Sequence, residues 1–99
     1  MADDFEQDFA ADDAGNPAVA GARAAAVVDH CARAVADEPD GIDVVTTDRD
    51  GEVILSVHTA PGDMGRLIGR RGRVIQAIRT IARAAASADG VKVTVDVVE

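Results

Sequence analysis

Two glycines bracket two arginines at Gly69-Arg70-Arg71-Gly72. Glycine lets a backbone turn sharply and lets a ligand approach without interference from a Cβ. Arginine supplies a planar, permanently charged fork that matches phosphate oxygens two at a time. Arg66 and Arg73 stand a helical turn or less from the pair. Gly72 lies where a helix should begin, and the first N–H groups of a helix lack intrahelical partners and carry the positive end of its dipole. The chemistry of the set is capture of an anion, phosphate above all. Leu67-Ile68 and Val74-Ile75 bracket the turn with apolar residues. They would fix the flanking segments on a core and leave an aliphatic floor for unstacked bases.

Other chemistries fail on residues. A Walker A loop needs Gly-Lys followed by Ser or Thr, and the chain has no Gly-Lys. A dinucleotide fingerprint needs G-x-G-x-x-G after a strand, and its first glycine pair is missing. Gly65 and Gly69 form G-x-x-x-G, which carries meaning only inside a membrane-length apolar segment. Cys31 is the single cysteine, so neither an internal disulfide nor a cysteine zinc site can form. His30 and Cys31 are adjacent and would point about 100° apart on a helix, so they are no catalytic pair. Cys31 is expected as a buried small apolar residue and His30 as a surface residue. His58, the other histidine, is expected on a half-exposed strand where it could border a binding groove. Ser56 and Ser87 have no candidate base nearby in sequence. Neither catalysis, a metal nor a cofactor is expected.

The net charge is −8, which at face value opposes nucleic acid. Its distribution points the other way, because binding depends on local field. Residues 1–13 hold six acids (Asp3, Asp4, Glu6, Asp8, Asp12, Asp13) and no base, whereas Met64 to Ala88 holds six arginines (Arg66, Arg70, Arg71, Arg73, Arg79, Arg83) and no acid. The only aromatics are Phe5 and Phe9, both in the acidic segment. That weighs against folds that read bases by stacking on exposed rings. No signal peptide follows Met1 and no stretch is apolar enough to span a bilayer, so a soluble cytoplasmic protein is expected. Nine arginines to one lysine, with abundant alanine, point to a GC-rich bacterial genome.

The elements that must hold the turn can be placed in order. Residues 1–15 lack an apolar period and are expected as a disordered acidic tail, either solubilising or competing for the arginines. Phe5 and Phe9, four apart, could share one face of a transient helix. Asn16-Pro17 should cap and start a helix to about Ala36, burying Val27, Cys31 and Val35, with Ala24 a turn earlier. Pro39 and Gly41 end it. Ile42–Thr47 and Glu52–Ala60 are expected as an antiparallel hairpin across Asp48-Arg49-Asp50-Gly51, with Val53, Leu55 and Val57 alternating with Ile54, Ser56 and His58. Asp63 should N-cap a short helix containing Met64 to Ile68. After the turn, Arg73 to about Ser87 forms a longer helix with Val74, Ile78, Ile81 and Ala85 as its buried stripe. Asp89-Gly90 ends it, and Val91 to Val98 is a third strand.

The stretch Leu67-Ile68-Gly69-Arg70-Arg71-Gly72-Arg73-Val74-Ile75, set in that element order, resembles the signature of a KH domain, whose GXXG loop clamps the backbone of about four nucleotides. Residues 60–80 and the ending Val93-Thr94-Val95-Asp96-Val97-Val98 are similar to the small stand-alone KH proteins of the KhpA (YlqC-like) family. The resemblance covers about residues 20–99 and leaves residues 1–15 unexplained. It implies an α+β type II KH domain over residues 16–99: helix-strand-strand-helix-helix-strand, a three-stranded sheet with helices on one face. It also implies a single-stranded RNA-binding protein, an RNA chaperone or post-transcriptional regulator linked to cell shape and cell-wall homeostasis. Its implied partner is a second KH protein of the KhpB (Jag-like) family, or another copy of itself. The expected RNA-binding residues are Arg66, Leu67, Ile68, Gly69, Arg70, Arg71, Gly72, Arg73, Val74 and Ile75, with residues near Val57 bordering the groove. A protein-interaction adaptor built on the same fold is the alternative, and single-stranded DNA is a weaker candidate ligand.

Overall fold

The computed structural model describes residues 21–98. The acidic segment, Asn16-Pro17 and the expected domain boundary at residue 15 lie outside the described residues. The elements are α1 (Ala22–Val35), β1 (Asp43–Arg49), β2 (Glu52–His58), α2 (Met64–Ile68), α3 (Arg73–Ala88) and β3 (Lys92–Val98), with single 3-10 turns at Pro39–Gly41 and Arg70–Gly72. The chain is α+β, with the element order expected. Among the described residues no helix is long and apolar enough to cross a membrane.

The hairpin is set by its turn. Arg49 pairs with Glu52, leaving Asp50 (φ 52°) and Gly51 (φ 82°) as a two-residue loop. Positive φ at both positions is the type I′ geometry, whose twist matches that of the strands, and Asp-Gly is among its preferred pairs. β2 then takes the centre of the sheet, antiparallel to β1 and parallel to β3. Val53, Leu55 and Val57 face the helices and are buried, while Ile54, Ser56 and His58 on the opposite face are half-exposed. The helices therefore cover one face only.

Ala24 and Ile78 are buried as expected, and the rest of each helical face is displaced by one position. α1 buries Ala24, Val28 and Ala32, while Val27 and Cys31 are half-buried and Val35 is exposed. α3 buries Ile75, Ile78, Ala82 and Ala86, and leaves Ile81 45% exposed. The reason is packing distance. α1 and α3 pack on each other and on the sheet, and alanine admits the closest approach, so Val35 and Ile81 are left at the rim while Val28, Ile75 and Ile78 stay buried beside the alanines. α1 begins at Ala22 behind Gly21. A Cβ on Gly21 would lie 2.7 Å from Val53 Cγ1, so the absent side chain lets the helix start against β2.

Asp63 does not cap α2. Its backbone is helical (φ −92°, ψ −10°) and its side chain makes no cap hydrogen bond. Instead the buried carboxylate reaches the link after α1: the Asp37 N–H donates to Oδ1 at 3.0 Å and the Glu38 N–H to Oδ2 at 2.9 Å. Arg33 fastens the same link from the other side, donating to the Pro39 carbonyl at 2.9 Å and the Ile42 carbonyl at 3.1 Å. The entry to α2, and with it the arginine turn, is thus tied to the end of α1. The N–H donors of Glu38 and Asp37 hold the Asp63 carboxyl below the usual carboxylate range; burial opposes them and Arg66 assists. A group whose folded pKa is lowered stabilises above its unfolded pKa, about 3.9 for Asp, and that contribution is lost as pH falls through the folded value. Asp63→Asn should therefore lower the urea midpoint most near neutral pH, with the gap to wild type closing below about pH 4. Urea titrations from acid to neutral pH check this; a gap of constant size would assign the role of Asp63 to shape rather than charge.

Candidate nucleic-acid interface

The turn between α2 and α3 depends on two glycines for different reasons. Gly69 has φ 77° and ψ 173°, a region open essentially to glycine alone. A Cβ there would run into the Val74 side chain and stand 2.9 Å from the Val74 nitrogen. Gly72 (φ 73°, ψ 16°) is left-handed, but a Cβ on it would meet only Ile75 Cγ2, at 4.0 Å. Between them Arg71 is itself left-handed (φ 58°, ψ 25°), which is uncommon for arginine. The turn is closed by Gly69 N–H to Gly65 O (2.8 Å) and Gly72 N–H to Gly69 O (3.1 Å). Arg70 and Arg71 are both exposed. The result is two guanidinium groups carried on a short, internally bonded bend.

The apolar brackets divide into floor and foundation. Leu67 is fully buried and Ile75 nearly so, which makes them anchors of α2 and α3 in the core. Ile68 is 37% exposed and Val74 is half-buried, so these two are the residues at hand for a ligand. Arg66 is exposed and stands 3.6 Å from Asp63, a weak pairing that leaves its charge largely to solvent.

A depression of about 170 Å³ is lined by Arg79 and Arg83 of α3 and by Val93, Thr94 and Val95 of β3. Arg79 Nε donates to the Val95 carbonyl at 3.1 Å, which holds that guanidinium against the free edge of the sheet. Residues 25–97 of the chain match the family model of the KhpA/KhpB KH domain.

The chain belongs to the KhpA family of KH-domain proteins.

Among its relatives, the RNA-binding protein KhpA of Caldanaerobacter subterraneus subsp. tengcongensis is 39% identical over 67 residues, 68% of this chain and 89% of that protein. The RNA-binding protein KhpA of Leifsonia xyli subsp. xyli is 41% identical over 70 residues, covering 71% and 90%. That of Treponema pallidum is 30% identical over 73 residues, covering 74% and 91%.

Within this KH domain the expected site residues are not one surface. Arg73 faces away from the depression and lines an apolar groove between α1 and α3. Val57 does not border a groove: it is 1% exposed in the central strand, between β1 and β3. His58 projects from the opposite, helix-free face, paired across to Asp43 and Val98. The bordering strand is β3, because the free edge of the sheet beside α3 belongs to it.

Arg79 and Arg83 are the residues sequence reasoning left out of the site. A signal for them existed. Gly72, Gln76, Arg79 and Arg83 fall at i, i+4, i+7 and i+11, one helix face that leads from the turn along α3 for about 16 Å. Among the described residues no three of His, Cys, Asp and Glu come together as a metal site. Cys31, expected to be buried, is a half-buried free thiol.

Proposed function

We propose that this KH domain binds single-stranded RNA, with Gly69–Gly72 gripping the backbone and Arg70 and Arg71 holding phosphates. Ile68 and Val74 supply an aliphatic floor, Leu67 and Ile75 anchor it from the core, and Arg66 and Arg73 add field from the flanks. The strand then continues along Arg79 and Arg83 beside the edge of β3. The observation that carries the reading is the pair of exposed guanidiniums on a glycine-dependent bend, with an arginine-lined depression farther along α3. The name RNA-binding protein KhpA, borne by the relatives, supports it. On the same reading the protein is a cytoplasmic RNA chaperone or post-transcriptional regulator acting in cell-shape and cell-wall homeostasis, with no catalytic step. Pairing with a KhpB-type KH protein rests on the family name the two share.

Phosphate contact releases counterions, so affinity should fall with salt by about 0.7 log units per log unit for each phosphate held by a single strand. Two to four arginine contacts predict a slope of roughly −1.5 to −3. Fluorescence anisotropy with RNA and DNA oligomers of one sequence, from about 50 to 300 mM salt, measures this. Tighter binding of RNA would bring the 2′-hydroxyl into the site. Absence of binding to either, with a protein partner retained, would replace the reading with an adaptor.

A further inference from the structure

RNA binding as described draws on only Arg73 and Val74, at one end of the apolar groove between α1 and α3. The groove has a volume of about 380 Å³ and is lined by Cys31, Ala34 and Val35 on one side and by Ala77, Ile81 and Arg73 on the other. Val35 and Ile81, the large side chains of its rim, are 37% and 45% exposed. We propose that Phe5 and Phe9 of the acidic N-terminal segment occupy this groove, so that the segment is a reversible intramolecular competitor for the arginine turn.

Five arguments converge on that occupant. Phe5 and Phe9 are the chain's only aromatic residues. Four residues apart, they fall on one side of a helical turn, the arrangement that enters a groove between two helices. Charge fits as well: six acids and no base surround the two rings, while the charged side chain lining the groove is Arg73, next to Gly72 and close in sequence to Arg70 and Arg71. Reach is sufficient. From Gly21 to Cys31 is about 15 Å along α1, and the twelve residues from Phe9 to Gly21 span up to about 40 Å when extended. Finally, a segment needed only for solubility would be served by its acids alone; two phenylalanines among them call for an apolar surface.

Docking would set carboxylates beside the guanidiniums that bind phosphate. RNA and the segment would then exclude one another, and each would weaken the other's binding by the same factor. This regulatory half rests on the RNA reading above; the docking half does not.

Cys31 makes the two separable, because the chain's only thiol lies in the groove. The experiment follows the rate at which a small thiol reagent modifies Cys31 in the full chain and in its Phe5→Ala/Phe9→Ala variant. A tethered segment acts at an effective concentration near the millimolar range, so the variant should react about threefold faster or more at low salt. Saturating RNA should speed the wild type toward the variant's rate. In anisotropy the variant should bind RNA about two- to fivefold tighter at low ionic strength, with the difference gone at high salt. Equal labelling rates in wild type and variant would overturn the docking. Protection that grows with protein concentration would give the groove to a second copy and overturn it too. If neither chain binds RNA, the RNA reading falls, while the labelling rates still decide the docking.

Discussion

Replacing Arg70 and Arg71 together by aspartate should lower RNA affinity by about a hundredfold or more while leaving the fold intact. The binding loss follows from the charge-assisted bonds removed, each worth about 1.5–3 kcal/mol, and from the repulsion between the new carboxylates and phosphate. The fold should tolerate the change for local reasons. Both side chains are exposed, and neither makes up the core. Aspartate suits the left-handed backbone at position 71 (φ 58°) better than arginine does, because its short polar side chain visits that region more readily. Aspartate at position 70 would sit just before α3, where a negative charge is favoured by the helix dipole. Circular dichroism melts of the variant should therefore overlay those of wild type, within a shift of about 0.5 kcal/mol. Retained RNA binding in a folded variant would show that the glycine turn is not the grip.

Gly69→Ala should be the most damaging single change in the turn, and far worse than Gly72→Ala. At Gly72 the new methyl meets open space, and the cost is the left-handed backbone alone, about 1–2 kcal/mol. At Gly69 the backbone lies outside the left-handed well and the methyl collides with Val74. The two costs add, so about 3 kcal/mol or more is expected, enough to lower the melting midpoint of a domain this size by roughly 12 °C or more. Val74→Ala in that background should recover part of the loss only. It removes the clash with the Val74 Cγ2 but leaves the Cβ and the nitrogen of residue 74, 2.7 Å and 2.9 Å from where the new methyl would stand. Thermal melts of the two single variants and the double variant measure this directly. Equal stability of the two alanine variants would mean that the turn relaxes freely, and that Gly69 is no more constrained than Gly72.

The two variants act on different levels of the same device. The arginine pair supplies the charge that meets phosphate. Gly69 supplies the bend that presents it, and Asp63 ties the entry of that bend to the end of α1. Loss of binding through Gly69 should therefore come with loss of stability, whereas loss through the arginines should not. Measuring both properties on both variants separates grip from scaffold.

Much of this protein was legible in its residue pattern because the deciding interactions are local. The Asp50-Gly51 turn, the alternation of Val53, Leu55 and Val57, the two breaks around Arg70 and Arg71, and the acid-free arginine stretch each follow from the preferences of a few consecutive residues. Together they set the element order and the anion-binding turn. Three features required the tertiary structure. Which helix face turns inward was decided by close packing, which drew Ala24, Ala32, Ala82 and Ala86 into the core and left Val35 and Ile81 at the rim. A hydropathy pattern ranks those residues the other way. The role of Asp63 was decided by two N–H groups 25 and 26 residues away, a long-range contact that overrode the local tendency to cap a helix. The border of the groove was decided by strand order: β2 lies at the centre with a partner on each side, so the open edge beside Arg79 and Arg83 falls to β3. The sequence by itself determined that a glycine turn carrying two arginines exists; only the packing of distant segments decided which side chains share its surface, because burial and strand neighbours are properties of the assembled chain and not of any window within it.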